Sequence, residues 1–398
     1  MFFSDVLEGK PDAIFGLTGA FQADVRPEKI NLLVGIFKDE HLRSVLMPSV
    51  KKAKEIVADQ DHLADYLPFE GLSVFTEEMG KLIFGNVSWA GGHGRIYAAQ
   101  AVGGTGALRV GAEFLAQEIS KCVSLSNPTW PNHRGVFERV GFQIGAYDYY
   151  IREIHGVDLD GMCKSLRALP EKSVVVLHAA CHNPTGCDLS LEDWERVSDL
   201  ILEKKLVPFF DFAYQGFGDG IEEDAAAIRL FYERGHELMV AYSCSKNFSL
   251  YSQRVGALYI VTQNSSEKLR VGSQVKRIIR TLYSNPPAHG ARVAAEVLKN
   301  PELRKQWLKE LEAMRYRLAR SRESLIERLI SRSKYTDFRY LKGHKGIFSF
   351  IDLDKSQVQK LIDQYAIYLI DNGRISVAGM TPGNIDYIAD SILAVRDL

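Results

Sequence analysis

The sequence predicts an α/β protein: a large domain with a mostly parallel sheet sandwiched by helices, and beside it a smaller α+β domain. Three observations carry this. The middle of the chain alternates short apolar runs with helical patterns, the form taken by βαβ units whose sheet is covered on both faces. The far end abandons that alternation after one long amphipathic stretch. The chain also has 398 residues, too many for one small core.

Residues 103–120 (GGTGALRVGAEFLAQEIS) read as a helix with a glycine-rich start, and KCVSLS (121–126) as a short strand. SVVVLH (173–178) is a buried strand followed by a loop. Ser190, with Asp193 three residues on, caps a helix running to about Lys205. LVPFFDF (206–212), ELMVAYS (237–243) and VGALYIV (255–261) are further strands, expected to follow the same parallel form. From Pro301 to about Arg332 a long helix is predicted. Leu303, Trp307, Leu311, Met314 and Leu318 form one apolar stripe along it, and Pro301 suits its first turn. GIFSFIDL (346–353), a polar helix and YLIDNGRISVAGM (368–380) make the smaller unit. The expected division is an N-terminal arm at 1–12, a small domain at 13–45 and 314–398, and a large domain at 46–313. The segment before residue 45 has no βαβ pattern of its own and is expected to pack with the C-terminal unit.

Composition narrows the function classes. Net charge is −1 and 25% of residues are charged, so no global field draws nucleic acid or an acidic membrane. The five cysteines are sparse and lack CxxC spacing, which argues against a disulfide framework and a zinc site. MFFSDVLEGKPDAIFGL meets Asp5 and Glu8 at once, unlike a signal peptide. No apolar stretch approaches the roughly 20 residues that span a bilayer. The expected location is the cytoplasm.

The unusual residue clusters fall at predicted strand ends, where open α/β sheets bind ligands. Gly103-Gly104-Thr105-Gly106 opens a helix, so backbone N–H groups could meet an anion there; a tight turn without a ligand is the plain alternative. Ser243-Cys244-Ser245-Lys246 follows a strand, with Arg254 eight residues on. Hydroxyls, an amine and a guanidinium suit a phosphate monoester bearing an aldehyde, although a lone lysine is usually a surface residue. Asp211 ends PFFDF, where a buried carboxylate needs a partner such as a pyridinium nitrogen; capping the next turn is the alternative. Tyr214 stands three residues further. His178 precedes the rigid turn His182-Asn183-Pro184-Thr185-Gly186; His-x₃-His on a loop is poor metal spacing, and no metal is expected. Trp130, in SNPTWPNH (126–133), could stack on an aromatic ligand or serve the core. Arg280 and Arg374 would together fit a dicarboxylate.

The ordered set SNPTWPNH, HNPTG, DFAYQGF, SKNFSLYSQRVG and YSNPPAHG, running from RPEKINLLVGIFKDE (26–40) to GRISVAGMTP (373–382), resembles the class I aminotransferases of pyridoxal-phosphate fold type I, in particular the aspartate/aromatic amino acid subgroup. The resemblance implies pyridoxal 5′-phosphate as cofactor, with Lys246 as its Schiff-base lysine and proton shuttle. It implies that Asp211 binds the pyridine nitrogen with His133 behind it, that Tyr214 and Asn183 bind the ring oxygen, and that Trp130 stacks on the ring. Gly103, Gly104, Thr105, Ser243, Ser245 and Arg254 would form the phosphate cup. Arg374 would clamp the substrate α-carboxylate and Gly35 would lie over the substrate. A homodimer with shared active sites is implied, Tyr66 reaching the other subunit's phosphate and Arg280 binding its distal carboxylate. Leu33 departs from the family, many members having Gly there, and Thr281 and Leu282 follow Arg280 where members vary; both departures bear on substrate preference.

The implied reaction is a ping-pong transamination between an L-amino acid, aspartate first, and 2-oxoglutarate. The alternatives are aromatic amino acids as main substrates, a lyase or decarboxylase using the same cofactor, and a non-catalytic ligand sensor. A sensor of this fold carries an extra DNA-binding domain, for which this chain shows no segment.

Overall fold

The computed structural model describes residues 2–9, 13–60, 65–92, 94–334 and 337–396. Of the expected arm, residues 1 and 10–12 lie outside the described residues, as do 397–398 of the expected small domain.

The main sheet has seven strands. Across it lie Ile96–Val102, Val255–Val261, Leu238–Ser243, Val207–Phe212, Val174–His178, Cys122–Asn127 and Gln143–Asp148. Val174–His178, Leu238–Ser243 and Val255–Val261 are buried along their whole length, which is why they read as unbroken apolar runs. Neighbours from Leu238–Ser243 to Gln143–Asp148 are parallel, with His178 opposite Asp211 and Asp211 opposite Ala241. Their carboxyl ends therefore share one edge.

Val255–Val261 corrects the expected parallel form, since it is antiparallel to both of its neighbours. The reason lies in its connection. A parallel return needs a crossover of a dozen or more residues, usually a helix, and residues 244–254 hold only the 3₁₀ turn Tyr251–Gln253. The strand is apolar because both of its faces are covered, and burial sets composition whatever the direction. The edge strand Ile96–Val102 (IYAAQAV) had no strand signal because alanine has poor β propensity.

The long helix spans Pro301–Arg332, and Asn300 Oδ1 accepts from Glu302 N at 3.1 Å and Leu303 N at 3.3 Å. All five residues of its predicted stripe are buried. Helix Leu191–Glu203 starts with the expected reciprocal cap: Asp193 N donates to Ser190 Oγ at 3.1 Å, and Ser190 N to Asp193 Oδ2 at 3.0 Å. Ile30–Asn31 pairs in parallel with Ile367–Tyr368, so the early segment does join the C-terminal unit. Phe348–Phe350 pairs antiparallel with Arg374–Ser376. Among the described residues no helix is long and apolar enough to cross a membrane.

Candidate active site

The parallel strands deliver Asp211, Ser243 and the residues that follow them to one sheet edge, and a cavity of about 270 Å³ opens there. Glycine start, strand loops and small unit all contribute to its wall. Lys246, Asp211, Tyr214, Asn183 and Trp130 line it. So do Gly104, Thr105, Ser243, Ser245 and Arg254, and, from the small unit, Gly35 and Arg374.

Asp211 is buried and accepts from a ring nitrogen of His133 (Nε2 to Oδ2, 3.0 Å), whose Nδ1 lies 2.8 Å from Thr129 Oγ1. Burial pushes the Asp211 carboxyl up, but the hydrogen bond from His133 and the nearby charge of Lys246 outweigh it. The net shift is downward, so the carboxylate stays ionised. His178 sits beside them, its ring 5.1 Å from that of His133, and neither of its nitrogens has a partner among the described residues. Burial pushes its pKa down to about 3, so it is neutral at physiological pH. His133, His178 and Asp211 bring three potential ligand atoms within 4.8 Å of one another.

Lys246 Nζ lies 4.8 Å from the centroid of the Tyr214 ring. Burial lowers its pKa to about 8; Asp211 opposes that shift and Arg254 adds to it. An amine titrating there is partly neutral near pH 7, as a nucleophile toward an aldehyde must be. Burial also pushes the Tyr214 hydroxyl well above its usual range, which keeps it a proton donor.

The phosphate-sized end is built from turn chemistry. Gly103 has φ +69° and opens helix Gly103–Glu118, whose start carries no side-chain cap, leaving its N–H groups free for an anion. A Cβ on Gly103 would lie 2.6 Å from Arg254 Nη2, and one on Gly104 3.0 Å from Ser243 Cβ. Arg254 Nη1 donates to Ser245 Oγ at 3.2 Å and to Tyr251 O at 3.1 Å; Ser243 and Ser245 hydroxyls are 3.1 Å apart. Uncapped N–H groups, two hydroxyls and a guanidinium fit a phosphate monoester, and the lysine, carboxylate and indole beyond them fit a pyridine aldehyde.

Arg374 is buried. Its Nη1 donates to Asn183 Oδ1 at 3.0 Å, its Nη2 to Leu33 O at 2.6 Å, and its guanidinium lies 4.0 Å from the Phe348 ring centroid. Burial lowers its pKa to about 10, and its Nε has no partner among the described residues. A carboxylate entering the cavity would meet a held cation. Leu33 contributes that carbonyl, while its side chain points into a core of Ala366, Tyr368 and Ile370. Leu33 lines the cavity, but its side chain is fully buried, so the departure from glycine acts through that carbonyl. Gly35 is different, because a Cβ there would fall 2.6 Å from Phe348 Cζ.

Four expected residues lie off the cavity wall. Gly103 and His133 stand directly behind it. Tyr66 is 92% exposed. Arg280 is bonded to Ser284 Oγ and lies 5.8 Å from the Phe69 ring centroid; neither Tyr66 nor Arg280 reaches the cavity of its own chain. Conversely, Tyr251 and Phe348 line the cavity and were not singled out from the sequence. Tyr251 accepts from Phe37 N at 2.8 Å. It sits within SKNFSLYSQRVG, three residues before Arg254, so its motif was the available signal. Phe348 had none, since GIFSF reads only as an apolar strand.

The comparisons agree with this geometry. The family model Aminotransferase class I and II matches residues 27–392. The aspartate aminotransferase of Pseudomonas aeruginosa is 47% identical over 394 residues, covering 99% of each chain, and that of Escherichia coli is 43% identical, covering 99% of this chain and all of the other. A crystal structure of the aromatic-amino-acid aminotransferase of Burkholderia pseudomallei, covalently bound to pyridoxal phosphate, superposes with a TM-score of 0.96 at 43% identity over 99% of each chain. A lysine, a buried carboxylate and a buried guanidinium around one cavity, in a chain matched from end to end by these proteins, place it in the family of class I and II aminotransferases.

Proposed function

We propose that the protein transfers the amino group of an L-amino acid, aspartate first, to 2-oxoglutarate in a ping-pong cycle that uses pyridoxal 5′-phosphate. The observation that carries the reading is the single cavity shared by Lys246, with its lowered amine pKa, the ionised Asp211 and the buried Arg374. The cofactor, when bound, supplies an electron sink for the charge left at the substrate Cα.

The protein's part is to position groups and move protons. Asp211, oriented by His133, holds the pyridine nitrogen protonated. Gly103, Gly104, Thr105, Ser243, Ser245 and Arg254 take the phosphate, Trp130 covers one ring face, and Tyr214 and Asn183 donate to the ring oxygen. Arg374 fixes the α-carboxylate beneath Gly35. The Lys246 amine would hold the cofactor through its aldehyde carbon, with loss of water, and would move the proton at the substrate Cα. Its depressed pKa suits both tasks.

The same proposal includes a cytoplasmic homodimer in which Tyr66 and Arg280 of one copy complete the site of the other. Their exposed placement outside their own cavity supports it. It also includes the division into an arm (1–12), a small domain (13–45 and 314–398) and a large domain (46–313), supported by the pairing of Ile30–Asn31 with Ile367–Tyr368. Aromatic amino acids are the second reading, favoured by the close likeness to an aromatic aminotransferase structure.

The test uses purified protein loaded with pyridoxal 5′-phosphate. Borohydride should fix the cofactor to the peptide bearing Lys246. Aspartate alone should convert the visible absorbance to that of the aminated cofactor and release one equivalent of oxaloacetate per site. Alanine in place of oxaloacetate would reveal decarboxylation, and no reaction with any amino acid would reject the reading. The ratio of kcat/KM for aspartate and phenylalanine decides between the two substrate classes.

A further inference from the structure

The Phe348 ring sits at the meeting point of the cavity's substrate end. It lies under the Arg374 guanidinium at 4.0 Å and edge-on to Tyr214 at 6.2 Å, and it fills the space that a Cβ on Gly35 would need. Anything that sets the height and tilt of this ring sets Arg374. The ring belongs to strand Phe348–Phe350, which pairs antiparallel with Arg374–Ser376, so both residues ride on the same two-stranded ribbon. Side chains alternate across a strand. Phe348 and Phe350 take the cavity side, Phe350 packing edge-on against Tyr150 at 5.2 Å. Ser349 takes the opposite side and faces the long helix Pro301–Arg332.

From that helix Arg322 reaches the back of the ribbon. It is only 6% exposed. Its Nε donates to Ser349 Oγ at 2.9 Å, and its Nη2 to Gly346 O at 2.5 Å and Phe348 O at 3.3 Å. Every partner is neutral. A guanidinium taken out of water without a carboxylate is an expensive way to fill a core position. Burial already pushes its pKa down to about 10. What it does uniquely is grip three points of one short segment with a planar fork that no other side chain offers. Gly346, at the start of that segment, has φ +77°, and a Cβ there would lie 2.6 Å from Cys181 Cβ, so the segment is also wedged against the large domain.

We infer that Arg322 is a positioning residue for substrate binding: through Ser349 and the 346–348 main chain it holds Phe348 at the height that aims Arg374 at the α-carboxylate. The inference rests on the assignment of Arg374 to that carboxylate. Arg328 and Arg332 of the same helix instead pair with Asp386 at the surface.

The experiment is a double-mutant cycle on the cofactor-loaded enzyme, using Arg322→Met and Phe348→Leu, singly and together. Arg322→Met should raise KM for aspartate and for phenylalanine about tenfold, leave kcat within twofold, and leave the visible spectrum of the bound cofactor unchanged. In the Phe348→Leu background the same substitution should add less than twofold, because the ring it positions is gone. An equal factor in both backgrounds would overturn the inference, since a residue serving only stability acts regardless of Phe348. Should Arg322→Met fail to fold, Ser349→Ala removes only the acceptor on the hidden face. It should raise KM about threefold, again only when Phe348 is present, and an unchanged KM would overturn the inference. Wild-type enzyme that transaminates while these variants match it leaves the aminotransferase reading standing and rejects only the role of Arg322.

Discussion

Replacing Gly103 by alanine separates backbone strain from cofactor affinity. Gly103 has φ +69°, so any side chain there occupies the left-handed region at a cost of about 1–2 kcal/mol. That cost is present with or without cofactor and lowers the stability of both forms alike. The second effect belongs to binding alone. The added methyl would lie 2.6 Å from Arg254 Nη2, and Arg254 is not free to retreat, because its Nη1 is already bonded to Ser245 Oγ and Tyr251 O and its own backbone is left-handed at φ 52°. Losing one charge-assisted hydrogen bond to the phosphate costs about 1.5–3 kcal/mol, which is about 10- to 150-fold in affinity at 1.4 kcal/mol per decade. The assay has two arms. Thermal unfolding of the apoprotein should show the strain, and titration with pyridoxal 5′-phosphate, followed by visible absorbance, should show Kd rising within that range. An affinity within threefold of wild type, in a protein carrying the expected loss of stability, would refute the assignment of Gly103 and Arg254 to the phosphate.

Lys246→Ala should reduce transamination to the rate of free cofactor while phosphate-directed binding persists; any wild-type-like turnover would remove Lys246 from the chemistry. Arg374→Lys keeps the charge but loses the fork, and should lower kcat/KM about 10- to 150-fold for aspartate and phenylalanine alike, on the same hydrogen-bond arithmetic. Arg280→Leu should cost aspartate a similar factor and phenylalanine less than threefold; equal losses would mean that Arg280 does not read the distal carboxylate. His236 is buried with Nε2 2.7 Å from Ser198 Oγ, and burial lowers its pKa from 6.5 to about 4. A base held neutral in the fold but protonated when unfolded gives most stability above pH 6.5 and loses it as pH falls toward 4. His236→Gln should flatten the melting curve over that window, and an unchanged slope would show that another group governs acid unfolding.

Most of the main sheet was legible because its chemistry is local. Val174–His178 and Leu238–Ser243 are apolar through their length because both faces of the sheet are covered, and Ser190 with Asp193 announces its helix within four residues. What local pattern cannot give is strand direction. Val255–Val261 is as apolar as the parallel strands, and only the lack of a crossover helix in 244–254 betrays that it runs the other way. Ile96–Val102 escaped for the opposite reason, its alanines carrying no strand preference although its burial is nearly complete.

The site divides along the same line. The residues proposed for phosphate and ring come from strand ends and the turns after them, so motif and fold point to one place: Ser243, Ser245, Lys246 and Arg254 follow one another at one strand's end, and Asp211 stands near the end of the next strand. The substrate end is assembled from segments far apart in the chain, with Arg374 meeting Asn183, the carbonyl of Leu33 and the ring of Phe348. Leu33 shows how sequence alone misleads there. As a bulky residue two places before Gly35 it suggests an altered substrate pocket, yet its side chain is fully buried. Its side chain turns into the small core with Tyr368 and Ile370, and only its carbonyl faces Arg374. The main chain reads the guanidinium at that position, so a change of side chain acts through what anchors the carbonyl. Substrate preference must then be sought in groups whose side chains do enter, or that the proposed second copy would lend, which directs attention to Arg280 before Leu33.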